Sequence, residues 1–404
     1  MKKIVIFSIM LSSLLFGSES YADFLKAHQN EVAKYQEDTQ KDFNKFKKDL
    51  EDDFNNYKAL YKKELKKFET EIYSNWGDKI TSSKTKWVEY SPNKMIRKIV
   101  DFEKSEIIIE IISKETPQVA EKLLYRESIK TIISSPKKAH SKDILTQRID
   151  AKFKKIAKTA VVKKNIQDKK PILQAVIMSK NSSTKEIIRF ISKAKSKTVI
   201  KPSKVGKSKV FSMKIKLPKY FPLKKAKQLK DKVRKYAKEY KIETALVYAI
   251  MHSESNFNPM AKSHIPAYGL MQIVPRSAGI DAYQMVYKKK RLLPASYLYD
   301  SRNNIEMGSA YLHILYYRYL KRIKNPESRL YCVIAGYNTG AGNVSRAFAT
   351  GKRKGRLKRA TDIINTMTPD QVYNALVTKL PHDETKVYLK KVSKRFKIYQ
   401  RLDL

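Results

Sequence analysis

The chain has almost no cysteine. A single residue in 404, Cys332, excludes an intrachain disulfide whatever the compartment. It sits in Leu330-Tyr331-Cys332-Val333-Ile334 with no histidine beside it, so it reads as a small buried hydrophobe and not as a nucleophile. Histidine is scarce as well. Six residues without His-x-x-x-His or Cys-His clustering give no ligand spacing, and neither a metal nor any other cofactor is expected. Acid is short relative to base: 39 Asp and Glu face 85 Lys and Arg, a formal charge of +46. Residues 151–240 carry 29 of the basic side chains against four acids, Asp168, Glu186, Asp231 and Glu239. Such a field attracts polyanions, whether nucleic acid, anionic lipid or a cell wall with free carboxylates and phosphates. A general lysine bias is the plain alternative. Lysine far outnumbers arginine and aromatics are not interleaved with it, which argues against a nucleic-acid partner read by sequence.

Long apolar runs are missing after the first few residues. Lys2 and Lys3 precede an apolar run from Ile4 to Phe16, and Ser20-Tyr21-Ala22 ends in the small residue that signal peptidase needs, so 1–22 reads as an export signal. As a helix this run rises only about 20 Å, short of a hydrocarbon core of roughly 30 Å. The expected location is therefore periplasmic, with peripheral attachment to membrane or wall and no second spanning segment.

Beyond residue 22 the N-terminal half is organised by period. Phe43, Phe46, Leu50, Phe54, Tyr57, Tyr61, Leu65, Phe68 and Ile72 recur every three or four residues, so 23–76 is expected to be a long amphipathic helix. Its 3-4-4 phase favours a straight or slightly right-handed seam over a heptad coil. The helix must lie on its own partner domain, another copy or a membrane, and periodicity does not choose. Oligomeric state is equally open. Residues 77–220 are expected to form an accessory α+β domain with a basic linker. Strands are predicted at Lys86–Tyr90, Ile99–Phe102, Ile107–Ile112 and Val210–Leu217, helices over 117–134 and 142–160, and a loop over 195–209 around Pro202 and Gly206. From 221 to 404 everything reads as helix. The fold class is thus α+β, with a mostly α domain at the C-terminus.

The chemistry concentrates in this last part. Leu246, Ile250 and Glu254 share a helix face whose remainder is apolar, and Pro259 follows the helix end. A carboxyl on such a face is poorly solvated, which raises its pKa and keeps it protonated, able to donate to a leaving oxygen. Gly269-Leu270-Met271-Gln272-Ile273 suits a turn whose backbone comes close to a ligand, with Leu270 and Ile273 inward and Met271 and Gln272 towards the cleft. The helix over Asn304–Ile323 packs, and His313 on it reads as a satisfied residue and not as a ligand. Tyr337-Asn338-Thr339-Gly340-Ala341-Gly342 is a helix end that projects Tyr337. Glu384 and Tyr388 share a face of the last helix, where a buried Glu384 would tie the lobe together.

Glu254-Ser255-Asn256-Phe257-Asn258-Pro259, the Gly269 turn, Ala335-Gly336-Tyr337-Asn338 and Glu384-Thr385-Lys386-Val387-Tyr388 resemble, in this order, the family 1 lytic transglycosylases. Tyr297-Leu298-Tyr299-Asp300, Asn303-Asn304-Ile305 and Ile363-Ile364-Asn365-Thr366-Met367-Thr368-Pro369 look like the branch of membrane-bound lytic murein transglycosylase C. Lys86-Trp87-Val88-Glu89-Tyr90 and Val100-Asp101-Phe102-Glu103-Lys104 look like that branch's accessory domain. The resemblance covers 233–398 well and 76–112 loosely. It implies a lysozyme-like α fold over 221–404, peptidoglycan glycan strands as substrate, Glu254 as general acid and then base, Ser255, Glu384 and Tyr388 in support, and Ser263, Met271, Gln272, Tyr337 and Asn338 around the sugar. Ser263 carries over by its place nine residues after the glutamate. That branch usually has a lipid-bearing cysteine at its cleavage site, and none stands near Ala22. The basic stretch 151–240 is the alternative tether, at about 1 kcal/mol per well-placed lysine.

The reaction follows from one more shortage. A standard glycosidase uses two carboxylates, and around these motifs Glu254 stands alone until Asp281. One carboxyl would serve as acid and then base, with the substrate's own acetamido group and 6-hydroxyl completing a 1,6-anhydro product. The alternatives are a muramidase using Asp281 as second carboxylate, and a murein-binding protein without turnover.

Overall fold

The structure, a computed structural model, describes residues 18–163, 166–179, 181–218, 220–264, 266–352, 354–402 and 404. The expected export signal falls, for its first 17 residues, outside the described residues. The chain divides into two compact units, residues 1–55 and 56–404. Helix α1 (Ser18–Trp76) supplies the described part of the first unit, in which residues 31–45 are exposed, Phe43 among them.

In the second unit the end of α1 carries the predicted apolar seam into a core. Tyr61, Phe68 and Ile72 are buried against Val88, Tyr90 and Ile99 of the sheet and against Leu145 and Ile149. Each such side chain removed from water stabilises by about 1.5–3 kcal/mol. Among the surfaces the periodicity leaves open, residues 56–76 use the chain's own accessory sheet.

That sheet contains β1 (Lys86–Tyr90), β2 (Ile96–Asp101), β3 (Glu106–Ser113), β4 (Val199–Pro202) and β5 (Lys209–Lys216), antiparallel throughout in the order β1-β2-β3-β5-β4. Register sorts its two faces. Trp87 pairs with Val100, Val100 with Ile107 and Ile107 with Ile215, and these four point into the main core. Val88 pairs with Ile99 on the opposite face, under α1. The predicted loop over 195–209 holds β4, an exposed edge strand. Its Pro202 sits at the sheet margin, where a missing N–H breaks no ladder.

Between β3 and β4 come α2 (Pro117–Ile132), α3 (Pro136–Ser141), α4 (Ile144–Ile156), α5 (Gln174–Ile177) and α6 (Thr184–Ala194). After β5 the chain is helical: α7 (Phe221–Gln228), α8 (Lys230–Glu239), α9 (Thr244–Ser255), α10 (Ala278–Tyr287), α11 (Ala295–Leu298), α12 (Ser301–Ile314), α13 (Pro326–Thr339), α14 (Ala341–Arg346), α15 (Arg356–Ile364), α16 (Pro369–Lys379) and α17 (Asp383–Gln400). Helix α9 is the centre of this part, with Val247, Ala249, Ile250 and Met251 wholly buried. The helix predicted over Asn304–Ile323 starts at Ser301 and, beyond Ile314, widens into a π-helical turn over Leu315–Tyr319. Such turns recur at functional sites. No helix among the described residues is long and apolar enough to cross a membrane.

Candidate active site

Helix α9 stops because Asn256 enters the left-handed region at φ 52° and Phe257 follows it at φ 62°. Asparagine tolerates that conformation, whereas a bulky aromatic held there marks strain that its surroundings must sustain. The Phe257 ring is buried and stacks on His252 at 5.4 Å. Two side chains beyond the helix tie the reversal to the accessory sheet. Asn256 Nδ2 donates to Phe102 O at 3.0 Å and Asn258 Nδ2 to Lys84 O at 3.3 Å.

This arrangement leaves Glu254 at the buried end of α9, only 6% exposed. Burial pushes its carboxyl pKa up, opposed by the Lys84 ammonium, whose Nζ stands 3.9 Å from Oε2. The Tyr388 hydroxyl also counts against the rise, and Glu384 adds to it. That hydroxyl is buried without a hydrogen-bond partner of ordinary geometry. A carboxyl kept protonated by an apolar surround is the form that can deliver a proton.

Ser255 is structural. Its Oγ donates to Met251 O at 3.0 Å and to Leu270 O at 2.7 Å, fastening the helix to the Gly269 turn. Gly269 has φ 76°, and a Cβ there would lie 2.4 Å from Leu298 O and 2.3 Å from Asn304 Nδ2, so only glycine fits. Asn304 grips the turn from α12: Oδ1 accepts from Met271 N at 2.7 Å, and Nδ2 donates to Tyr268 O and Leu298 O, both at 2.8 Å. In the sequence Asn304 figures only as a helix bound and as part of a resemblance. A wholly buried amide facing a glycine turn cannot be inferred without the fold.

The turn corrects one expectation. Met271 does not face the cleft; it is fully buried, with its thioether against Gly308 of α12. The absence of a side chain at Gly308 makes the room. Gln272 differs. It is held at φ 48°, its Nε2 donates to Gly269 O at 3.1 Å, and its Oε1 is buried without a partner. A strained residue with an unsatisfied acceptor is costly in the resting protein, by about 1–3 kcal/mol for the acceptor alone, and a ligand's donor would relieve it.

Tyr337, at the end of α13, donates its hydroxyl to Met271 O at 2.8 Å. Burial pushes its pKa up, and the charge of Glu254 adds to that. Asn338 joins the same helix end to α17 by accepting from Thr385 Oγ1 at 2.7 Å. Glu384 is a second correction. It is not buried: its side chain is 77% exposed, and its partner is Lys84, 3.6 Å away. Tyr388, one turn further on, is the member of that face which is buried beside Glu254. Ser263 lies on the loop between α9 and the turn, its N–H donating to Ala267 O at 3.1 Å.

Asp281, on α10, accepts from Tyr319 Oη at 3.1 Å, and burial raises its pKa. Its charge acts on Tyr311, whose ring meets Tyr337 edge-on at 5.7 Å, and Tyr337 in turn feels Glu254. The loop itself is anchored from the accessory part. Lys262, only 4% exposed, reaches Asp143 Oδ2 at 3.1 Å and Thr146 Oγ1 at 3.3 Å, and Tyr268 hydrogen-bonds the Tyr57 hydroxyl of α1.

Residues 231–359 match the transglycosylase SLT domain family, and residues 21–187 match the family described as membrane-bound lytic murein transglycosylase C, N-terminal domain. The chain is 34% identical over 343 residues to the membrane-bound lytic murein transglycosylase C of Pectobacterium atrosepticum, covering 83% of this chain and 88% of that protein. The protein of the same name from Serratia proteamaculans is 46% identical over 179 residues, 44% of this chain and 48% of its own. The 70 kDa soluble lytic transglycosylase of Escherichia coli aligns in structure over 42% of this chain and 24% of that chain, at 27% identity and a TM-score of 0.32.

Proposed function

The chain belongs to the membrane-bound lytic murein transglycosylase C family, and from that premise we propose that Glu254 is its one acid–base group. The protein is a lytic transglycosylase of peptidoglycan. The observation that carries the site reading is a single buried carboxyl, pushed towards its protonated form by burial, at the junction of three anchored segments.

In the first step the Glu254 proton passes to the glycosidic oxygen between N-acetylmuramoyl and N-acetylglucosaminyl units, and the C1–O bond breaks. The neighbouring acetamido group supports the charge developing at C1. The Glu254 carboxylate then takes the proton of the same sugar's 6-hydroxyl as its oxygen closes on C1. The 1,6-anhydro ring forms, no water is consumed and Glu254 is protonated again. Gln272, Tyr337 and Asn338 surround the reacting sugar in this reading, with Ser263 on the approach loop. Residues 221–404 act as the catalytic domain and 77–220 as the accessory domain, supported by the two family matches.

Mass spectrometry of fragments released from purified sacculi tests the chemistry. Products one water lighter than hydrolysis gives are expected, and Glu254→Gln should cost about 10²–10⁴ in rate. Products carrying the full water would transfer the second role to Asp281. Undiminished lysis by the Glu254→Gln protein would remove Glu254 from the site. For location, we read the chain as an exported protein held to anionic membrane or wall by residues 151–240. Raised salt should then release it from sacculi, and retention would refute the tether.

A further inference from the structure

Lys84 reaches Glu254 from 170 residues away in sequence, and the segment carrying it is fixed on both sides. Ser83 N donates to Lys86 O at 2.9 Å, and Lys86 N to Ser83 Oγ at 3.2 Å, which closes a tight turn ahead of β1. Lys262 N donates to Ser83 O at 3.3 Å and Asn258 Nδ2 to Lys84 O at 3.3 Å, so the loop after α9 grips that turn by its backbone. From there the ammonium stands between Glu254 Oε2 at 3.9 Å and Glu384 Oε1 at 3.6 Å.

We propose that Lys84 is a positioning residue of the transglycosylase site, delivered by the accessory sheet, whose ammonium stabilises the Glu254 carboxylate that appears as its proton moves to the glycosidic oxygen. The inference rests on the reading of Glu254 given above. Lys84 acts only through the charge it places beside the acid. It makes the accessory sheet part of the catalytic apparatus, since a chain whose β1 turn is undocked has the acid but not its counter-charge.

Every charged or titratable neighbour that faces Glu254 bears on the test. From α17 come Glu384, Tyr388 and Lys391, from α13 Tyr337, and from the β1 turn Lys84. Lys391 stands behind them with Arg395 and Glu103 as its own neighbours. Cations lower the Glu254 pKa and Glu384 raises it. Because the free enzyme needs Glu254 protonated, kcat/KM falls as pH rises through that pKa. Removing Lys84 moves this alkaline limb to higher pH. Removing Glu384 moves it to lower pH.

The experiment is initial-rate kinetics on soluble glycan strands across the pH range for full-length Lys84→Met, Lys84→Arg and Glu384→Gln. Lys84→Met should lower kcat about fivefold with KM little changed, the ~1 kcal/mol of two charges 4 Å apart screened as in water. Its alkaline limb should rise, Lys84→Arg should restore both, and Glu384→Gln should shift the limb the opposite way. A wild-type kcat and limb for Lys84→Met overturn the proposal. So does a rise in KM alone, which would make Lys84 a substrate contact. Should Lys84→Met unfold, Glu384→Gln still decides, because it disturbs no backbone anchor of the β1 turn. A dead Glu254→Gln with unaltered Lys84 and Glu384 variants would fell this proposal alone, whereas an active Glu254→Gln would fell the reading beneath it.

Discussion

Replacing Asn304 by alanine should be among the costliest single changes in the catalytic half, although Asn304 touches no substrate. Its amide makes three hydrogen bonds in a place with no exposed surface: it accepts from Met271 N and donates to Tyr268 O and Leu298 O, at 2.7, 2.8 and 2.8 Å. Alanine removes all three and leaves the Met271 N–H and two carbonyls facing a small void. An orphaned buried group costs about 1–3 kcal/mol, and the Met271 N–H loses the acceptor it has here. Summed with the weaker loss at the carbonyls, the expected destabilisation is roughly 3–5 kcal/mol. Asn304→Asp keeps the acceptor but turns a carboxylate oxygen towards two carbonyl oxygens, so it should fare no better. Urea unfolding followed by circular dichroism measures the difference. Turnover by the folded fraction should fall as well, because the turn that Asn304 holds carries Gln272. A free-energy change within about 1 kcal/mol of zero for Asn304→Ala would refute the account of the turn.

Gln272→Gly should leave stability unchanged or raise it by up to about 1 kcal/mol, since glycine relieves φ 48° and removes an unsatisfied acceptor. Turnover should drop at least about tenfold by the loss of a polar contact to the sugar, and a fully active glycine variant would dismiss Gln272 from the site. His252 is pushed down to about 3 by burial, then by Arg395 and Lys391, while its ordinary value is 6.5. The unfolded chain therefore binds a proton that the folded one refuses, and stability declines by about 1.4 kcal/mol per pH unit below 6.5 towards the folded value. His252→Gln should flatten that slope in acid titrations of unfolding, and an unaltered slope would contradict it. Asp143→Ala leaves Lys262 buried beside Thr146 alone and should cost about 3–5 kcal/mol. The Asp143→Ala/Lys262→Met pair should recover most of it, and a double variant no better than the single would reject the buried pair.

Much of the frame is legible because it depends on local period. The alternation in Val210–Leu217 and the strand-like residues of Lys86–Tyr90 place strands to within a residue, and the polar Glu103-Lys104-Ser105 marks a hairpin that the register of β2 on β3 contains. The 3-4-4 apolar rhythm gives a helix through Ile72 and identifies the side chains that meet the sheet. β4 escapes because its four exposed residues have no buried face to leave a pattern, and a proline ends it. The burial of Met271 escapes for a related reason: within a glycine turn no period says which side is core, and the choice is made by the missing side chain of Gly308 on another helix.

By itself the sequence determined most of the helices and strands, β4 excepted, together with the one carboxyl on an apolar helix face and the glycine turn after it, since these follow from spacing and from the backbone freedom of single residues. Only the tertiary structure decided that Glu384 is exposed, that Tyr388 rather than Glu384 is buried beside Glu254, that Asn304 holds the Gly269 turn, and that Lys84 stands next to the acid. The reason is one of range. Burial and counter-charge at Glu254 are set by side chains remote in sequence, Lys84, Tyr337, Glu384 and Tyr388 among them, and no local pattern encodes a partner that arrives only when the sheet docks on the helix end.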